Sequence, residues 1–377
     1  MSSEGASYRA AGVDYETLDA GKRLALSAAL ATSQLLGPRG GAAIDASRGE
    51  PAFVFELGER TMAFVVEGLG TKAMIARALL ETEGVNRFAD VAYDTVAAIA
   101  NDLSCVGALP LVINAYFATG SSAWYEHAER SRALVEGWRS GCEDAGAVWG
   151  GGESPSLPGL LADDEIELAG AAVGAVPEGR AAVLGSELAP GDEIVLVASS
   201  GLHANGASLA RHIAAGLSDG YATELADGTR FGEALLAPSV MYVPLVAALL
   251  DDEIPITYLS HITGHGLLKL MRPQRELGYR IERLPPVPPV LAFLTEQAGL
   301  DADEAHRTFN MGSGFAVYCA AGSGGRVSEI AGGLGMEAVV AGRVEDGPRR
   351  VMLDPIGVSY EGAEMELSAQ NNPQVEP

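Results

Sequence analysis

The chain has 377 residues, of which 25 are basic and 50 acidic, for a net charge of −25. With 48% hydrophobic and 20% charged residues it can bury full cores, which excludes global disorder, and its length suits two domains at about 150 residues each. The acidic balance argues against wrapping nucleic acid or lying on an anionic membrane, but not against a phosphorylated metabolite, because local donors with Mg²⁺ overcome a distant field.

Cys105, Cys142 and Cys319 are widely spaced and form no CxxC. They read as reduced thiols of a cytosolic protein rather than a disulfide framework or zinc site. Met1 to Ala11 is polar, unlike a signal peptide, and no run approaches the roughly 18 apolar residues of a membrane helix. A soluble intracellular protein is expected.

In chain order, Pro51 to Gly58 and Arg60 to Gly68 alternate apolar positions around Gly58-Glu59 and predict a β-hairpin. Thr71 to Glu83 reads as a helix, as does Phe88 to Val106, whose stripe is Ala92, Val96, Ile99, Leu103 and Val106. Leu109 to Phe117 and Glu165 to Val176 read as buried strands. Pro177 to Gly191, rich in Gly, Pro and charge, is the candidate linker. The alternation then restarts: strand Glu193 to Ala198, helix Gly206 to Gly216, then strands Ile256 to Ser260, Phe315 to Ala320 and Ala338 to Val344. Leu284 to Val290, with four prolines, is extended polyproline-like chain, more readily a stiff connection than a ligand for an aromatic groove. Gly362 to Pro377 is polar and aperiodic, so a mobile tail is expected. These features divide the chain into domains at 1–177 and 178–361 and a tail at 362–377. The fold class is α+β or α/β in two domains.

Five segments could carry chemistry. Glu67-Gly-Leu-Gly-Thr-Lys72 is a glycine loop between a strand and a helix, where a helix start offers N–H groups to an anion. It holds one of only three lysines (Lys22, Lys72, Lys269), and lacks Walker spacing. An ordinary turn with a solvated lysine is the competing reading. Asp94 and Asn101 share a helix stripe with Asp102 a quarter turn away; such hard oxygen donors suit Mg²⁺, and a solvated helix face is the alternative. Ser199 to Gly206 frames His203 and Asn205. His261-Ile-Thr-Gly-His-Gly266 has a His-x₃-His spacing, but its glycines break the helix that zinc would need. Arg307-Thr-Phe-Asn-Met-Gly-Ser-Gly314 leads into a strand. No GxSxG, HExxH or GxGxxG supports a serine hydrolase, zinc protease or dinucleotide enzyme.

In this order and at these separations, the segments resemble the aminoimidazole ribonucleotide (AIR) synthetase family, the phosphoribosylformylglycinamidine cyclo-ligases. Tyr8-Arg-Ala-Ala-Gly-Val-Asp14 opens the likeness. It continues through Gly68-x-Gly-Thr-Lys72, Asp94 with Asn101-Asp-Leu103, Tyr116 to Gly120, Gly151-Gly-Glu-Ser154 and Leu157-Pro-Gly159. In the second half come Ser200 to Gly206, Leu235 to Pro238, His261 to Gly264, Pro285 to Pro289 and Arg307 to Asn310. The resemblance implies an AIR-synthetase-like fold, with an N-terminal domain that pairs in a homodimer, an α/β C-terminal domain, and an active site between them. It also implies ATP and Mg²⁺, a small phosphorylated substrate, neither nucleic acid nor membrane as partner, and a cytoplasmic location. Lys72, His203, Asn205 and His261 are then the candidate catalytic residues. Glu67, Gly68, Gly70, Thr71, Gly151, Gly152, Glu153, Thr308 and Asn310 are candidates for nucleotide binding, and Glu67, Asp94 and Asp102 for the metal. The implied reaction transfers a phosphoryl group from ATP to the formyl oxygen of formylglycinamidine ribonucleotide; an amidine nitrogen then attacks that carbon, phosphate leaves, and the imidazole ring closes.

Several positions depart from the family pattern. Val66-Glu67 stands for Thr-Asp, Ala115 for Asp and His265 for Gly; Val240 replaces an arginine, and Gly40-Gly41 is followed by Ala-Ala-Ile-Asp. A related enzyme that activates another substrate with ATP, or a non-catalytic nucleotide-binding protein, therefore stands beside the cyclo-ligase reading. Among relatives of the same fold, the hydrogenase-maturation dehydratase normally ends in a reactive cysteine, where this chain ends Pro373 to Pro377. Selenophosphate synthetase needs a cysteine or selenocysteine near its N-terminus, and the first cysteine here is Cys105.

Overall fold

The computed structural model describes residues 15–365; the Tyr8–Asp14 motif lies outside them, as does the tail beyond Met365. The first sheet is built from β1 (Gly41–Ala43), β2 (Phe53–Leu57), β3 (Arg60–Gly68), β4 (Leu109–Thr119), β5 (Val148–Glu153) and β6 (Ile166–Ala175), in the order β1-β2-β3-β6-β4-β5. All neighbours are antiparallel except β4 and β5. That parallel pair needs a crossover, and α4 (Ala128–Asp144) supplies it. The expected hairpin forms, with Phe53 opposite Phe64 and Leu57 opposite Arg60. β6 alternates buried and half-buried residues along its whole length, the signature of a sheet with one covered face.

Helices α1 (Tyr15–Leu30), α2 (Lys72–Glu83) and α3 (Phe88–Ser104) belong to the same half. α3 is buried almost all round, since it packs on β3, β6 and α4 and also reaches the second half. In that half lie α5 (Ala207–Gly216), α6 (Phe231–Leu235), α7 (Val243–Asp251), α8 (Pro289–Ala298), α9 (Ala302–Thr308) and α10 (Gly324–Gly333). Its seven strands are β7 (Glu193–Ala198), β8 (Ile256–His261), β9 (Leu277–Ile281), β10 (Ser313–Cys319), β11 (Ala338–Asp346), β12 (Arg350–Leu353) and β13 (Val358–Glu361). They run in the order β13-β12-β9-β11-β7-β10-β8, with only β9 and β12 parallel. Every residue of β10 is buried, as befits a strand covered on both faces. One cover is α7 and α10 with Leu245, Leu249 and Val327; the other includes the tight turn Gly266–Met271 with Leu267 and Leu270.

The core under the first sheet does not stop at the candidate linker. Ile75 and Leu79 of α2 share one apolar cluster with Leu209 of α5, Phe231 of α6 and Leu291 of α8. Helices of the second half thus complete the first half's interior, which holds the intervening cleft in shape. Two expectations are corrected. The proline run ends earlier than expected, because α8 begins at Pro289, whose fixed φ suits a first helical position. The start of the tail is docked rather than free: Met365 is buried in the second sheet's core, and its carbonyl accepts Arg349 Nη2 at 2.6 Å.

Candidate active site

A cavity of about 600 Å³ opens between the halves. The end of β3 brings Glu67 to it, the glycine turn brings Gly68 to Thr71, and α3 brings Ala98 and Asp102. From the second half come Ala204 to Ser208 at the start of α5, His261 and Thr263 to His265 after β8, then Lys269 and Arg272. Two backbone positions explain the local sequence. Gly206 has φ +106°, and a Cβ there would lie 2.7 Å from Leu202 and 2.8 Å from Phe309. Gly266 has φ +52°, and a Cβ would lie 2.1 Å from the His306 carbonyl. Only glycine fits either turn.

The N-termini of α2 and α5 face the cavity side by side, tied by a 3.0 Å hydrogen bond between Thr71 Oγ1 and Ser208 Oγ. Their unpaired N–H groups and dipoles favour an anion there. The same cavity holds a carboxyl pair, Glu67 hydrogen-bonded to Asp102. Burial first, and the Asp102 charge second, push the Glu67 carboxyl up to about 7, against the pull of Lys269. Burial also works to raise Asp102, but its hydrogen bond from His261, with the charges of His261, Lys269 and Arg272, holds it below the usual carboxylate range. His261 Nδ1 therefore donates to the Asp102 Oδ1 carboxylate oxygen at 2.6 Å, which turns the Nε2 lone pair away from that bond. Lys269 donates to Thr263 Oγ1. Its ammonium is brought down to about 8 by burial and Arg272, despite Asp102 and Glu67.

Glu67, Gly68, Gly70, Thr71, Asp102, Asn205 and His261 thus line one cavity. Other candidates do not, and three are corrections. Lys72 is fully buried and turned inward, where Nζ pairs with Asp94 Oδ2 and donates to the His203 carbonyl at 2.8 Å. Asp94 is withdrawn from the metal set, because that lysine and the Ser239 N–H, at 2.6 Å, occupy both its oxygens. His203 is 2% exposed; its Nε2 meets Ser200 at 3.1–3.2 Å, and burial holds its pKa well below the ordinary value. Asn310 is likewise structural, its amide tying Gly201, Ser199 and Gly312 together. Gly151, Gly152 and Glu153 lie on the exposed edge strand β5, and Thr308 ends α9; none of the four borders the cavity.

The stripe of Asp94 and Asn101 is neither a metal face nor a solvated one. Asn101 Nδ2 donates to the Val240 carbonyl at 2.9 Å, and its Oδ1 accepts the Tyr242 N–H at 2.7 Å. With Asp94 on Ser239, the stripe clamps the 239–242 backbone to α3. Sequence reasoning missed Lys269, Arg272, Thr263, Ser208 and Glu50 in the cleft. Two left a signal: Lys269 as one of three lysines, and Thr263 inside the His261 to Gly266 segment. Of the departures from the family pattern, Glu67 and His265 line the cavity, whereas Ala115 and Val240 do not.

The N-terminal domain of AIR synthase related proteins matches residues 49–176, and the C-terminal domain of the same family matches residues 189–354. The chain belongs to the AIR synthase related family. It is 38% identical over 288 residues to the phosphoribosylformylglycinamidine cyclo-ligase of Anaeromyxobacter sp. (strain Fw109-5), covering 74% of this chain and 79% of that one. It is 36% identical to the enzyme of the same name from Paraburkholderia phymatum, covering 85% and 86%. Among solved structures, the hydrogenase maturation protein HypE in complex with ATP superposes with a TM-score of 0.57 at 17% identity, over 79% of this chain and 83% of that one. That likeness is one of fold.

Proposed function

We propose that the protein is an ATP-dependent cyclo-ligase that closes the imidazole ring of formylglycinamidine ribonucleotide to give aminoimidazole ribonucleotide. The observation that carries this reading is that two helix N-termini and the Glu67–Asp102 carboxyl pair line one cavity. Phosphoryl transfer needs positioned phosphates and neutralised charge more than covalent help from the protein. Thr71, Ser208 and the backbone N–H groups beside them hold phosphate oxygens. Two carboxyls close enough to share a proton suit Mg²⁺, which takes one or two carboxylates and completes its shell from phosphate and water. Among the described residues no three acidic, histidine or cysteine side chains form a cage of their own. Bound there, Mg²⁺ supplies charge neutralisation at the transferring phosphate. Lys269, whose charge acts on both carboxyls, stabilises negative charge that develops on the formyl oxygen. His261, oriented through Nδ1 by Asp102, takes at Nε2 the proton released as the amidine nitrogen attacks. The cytoplasmic setting and the homodimer belong to the same proposal.

The decisive assay supplies ATP, Mg²⁺ and formylglycinamidine ribonucleotide and measures the aminoimidazole product. Turnover on the order of 1–10 s⁻¹ is expected, with a loss of about a hundredfold or more in Asp102→Asn. One observation favours a second reading, a related enzyme acting on another small substrate: Glu67 and His265, both departures from the family pattern, line the cavity itself. ATP hydrolysis without ring closure would select it.

A further inference from the structure

A second cavity adjoins the main cleft and has no role in the proposed chemistry. It encloses about 390 Å³ and shares Gly49, Glu50 and Arg272 with the main cleft. Its charged lining is Arg48, Arg272 and Arg275 against the single carboxyl of Glu50, a local positive excess in a strongly acidic chain. Arg272 Nε and Nη1 are buried without a hydrogen-bond partner, and so is Arg48 Nε. Glu50 shares its charge with Arg272, but its Oε2 accepts the Tyr258 hydroxyl at 2.7 Å and it makes no hydrogen bond to Arg272 Nε or Nη1. Arg48 is held in place by stacking 4.2 Å over Phe53 and by donating to Ser33 Oγ at 3.3 Å. Arg275 Nη1 pins the opposite wall through the carbonyls of Gly185, Ser186 and Leu188.

A buried guanidinium with unpaired donors is costly unless an acceptor arrives. The planar fork of arginine matches tetrahedral oxyanions, phosphate above all. We propose that this second cavity is a phosphate site, with Arg48 and Arg272 as its ligands. Two sources carry that chemistry. One is the 5′-phosphate of a ribonucleotide substrate, entering past Arg272 from the main cleft; this source rests on the cyclo-ligase reading. The other is a free phosphate ion.

Calorimetry on the full chain with ribose 5-phosphate, inorganic phosphate and ribose tests the site. At least one phosphate probe binds the wild type, ribose does not, and Arg48→Gln weakens the phosphate probe by about tenfold or more, whereas Arg48→Lys stays within about threefold. Ribose 5-phosphate binding more tightly than inorganic phosphate assigns the site to the substrate; equal or reversed affinities assign it to the free ion. If Arg48→Gln does not fold, phenylglyoxal labelling of the wild type gives the same answer. Ribose 5-phosphate or phosphate should then protect Arg48 and Arg272 and leave the exposed Arg139 reactive. Absence of binding by both phosphate probes, undiminished binding in Arg48→Gln, or absence of protection overturns the site. Arg48-dependent binding in a protein that does not close the ring removes the cyclo-ligase reading and leaves the site standing. Ring closure with Arg48-independent binding does the reverse.

Discussion

A lysine at the first turn of a helix ordinarily stands in water, and the Lys72 ammonium instead lies in the interior against Asp94 and the His203 carbonyl. Removing one member of such a pair strands the other charge, at a cost of about 3–5 kcal/mol, while replacing both with apolar groups can be nearly neutral. Lys72→Met should therefore lower the urea unfolding free energy by that amount, and Lys72→Met with Asp94→Asn, which keeps an acceptor for the Ser239 N–H, should recover part of it. Equal losses in the single and double variants would show that the pair is not coupled. Glu67 makes a second prediction, through pH. Its carboxyl titrates near 7 in the fold against an ordinary 4.5, so across that interval the folded protein keeps a proton that the unfolded chain releases. Its contribution to stability is then full below about 4.5 and lost as pH rises through about 7. Lys269, at about 8 against 10.5, acts oppositely, holding fewer protons when folded and adding stability as pH rises through that higher window. In EDTA, the wild type should lose on the order of 1–3 kcal/mol more than Glu67→Gln between pH 5 and pH 7.5. Parallel stability curves would show that Glu67 is not perturbed.

The turn before α5 sets where that helix points, and Gly206 is its hinge. Gly206→Ala should cost about 1–3 kcal/mol, because the added methyl meets Leu202 and Phe309 in a left-handed conformation. It should also weaken nucleotide binding by displacing Ser208 from Thr71; calorimetry showing unchanged affinity would separate that turn from the site. How legible each element was in the sequence follows from its physics. The β2–β3 hairpin and α3 were legible because alternation and a helical stripe are local properties, and the candidate boundaries lay within a few residues of the strands and helix formed. β9, β12 and β13 gave no comparable signal, being short strands of four or five residues with too few positions to show a period. Site membership was partly legible: the glycine turn, Asp102 and His261 all face the cleft. Their partners were not, because Asp102 and His261 meet across 159 residues of chain. Lys72 and Asp94 satisfy the same local pattern as site residues, and only tertiary packing turns them inward.

The outer face of the first sheet carries the last prediction. Register places Phe53, Phe64, Val173, Val112 and Val148 in one row across five strands, all on the side away from α3. Phe64 is 44% exposed, Val66 61% and Val148 66%, and Leu111 and Tyr116 extend the same apolar surface. A contiguous face of this kind marks an interaction surface, because scattered apolar residues need no explanation but a continuous row does. The occupant that suits it is a second copy of the chain, in keeping with the dimer that the family resemblance implies. A flat apolar sheet can pair with itself about a twofold axis, and a stable interface needs only about 800 Å² from each partner. Light scattering at micromolar protein should give twice the chain mass of 38.9 kDa. Phe64→Glu with Val66→Glu should give the monomer, since a dimer would bury those four carboxylates without partners. The two side chains point away from the core that holds Ala63 and Val65, so the monomer should remain folded. A wild type that is monomeric at every concentration tested would leave this face without its partner, and a dimer unaffected by the two glutamates would place the interface elsewhere.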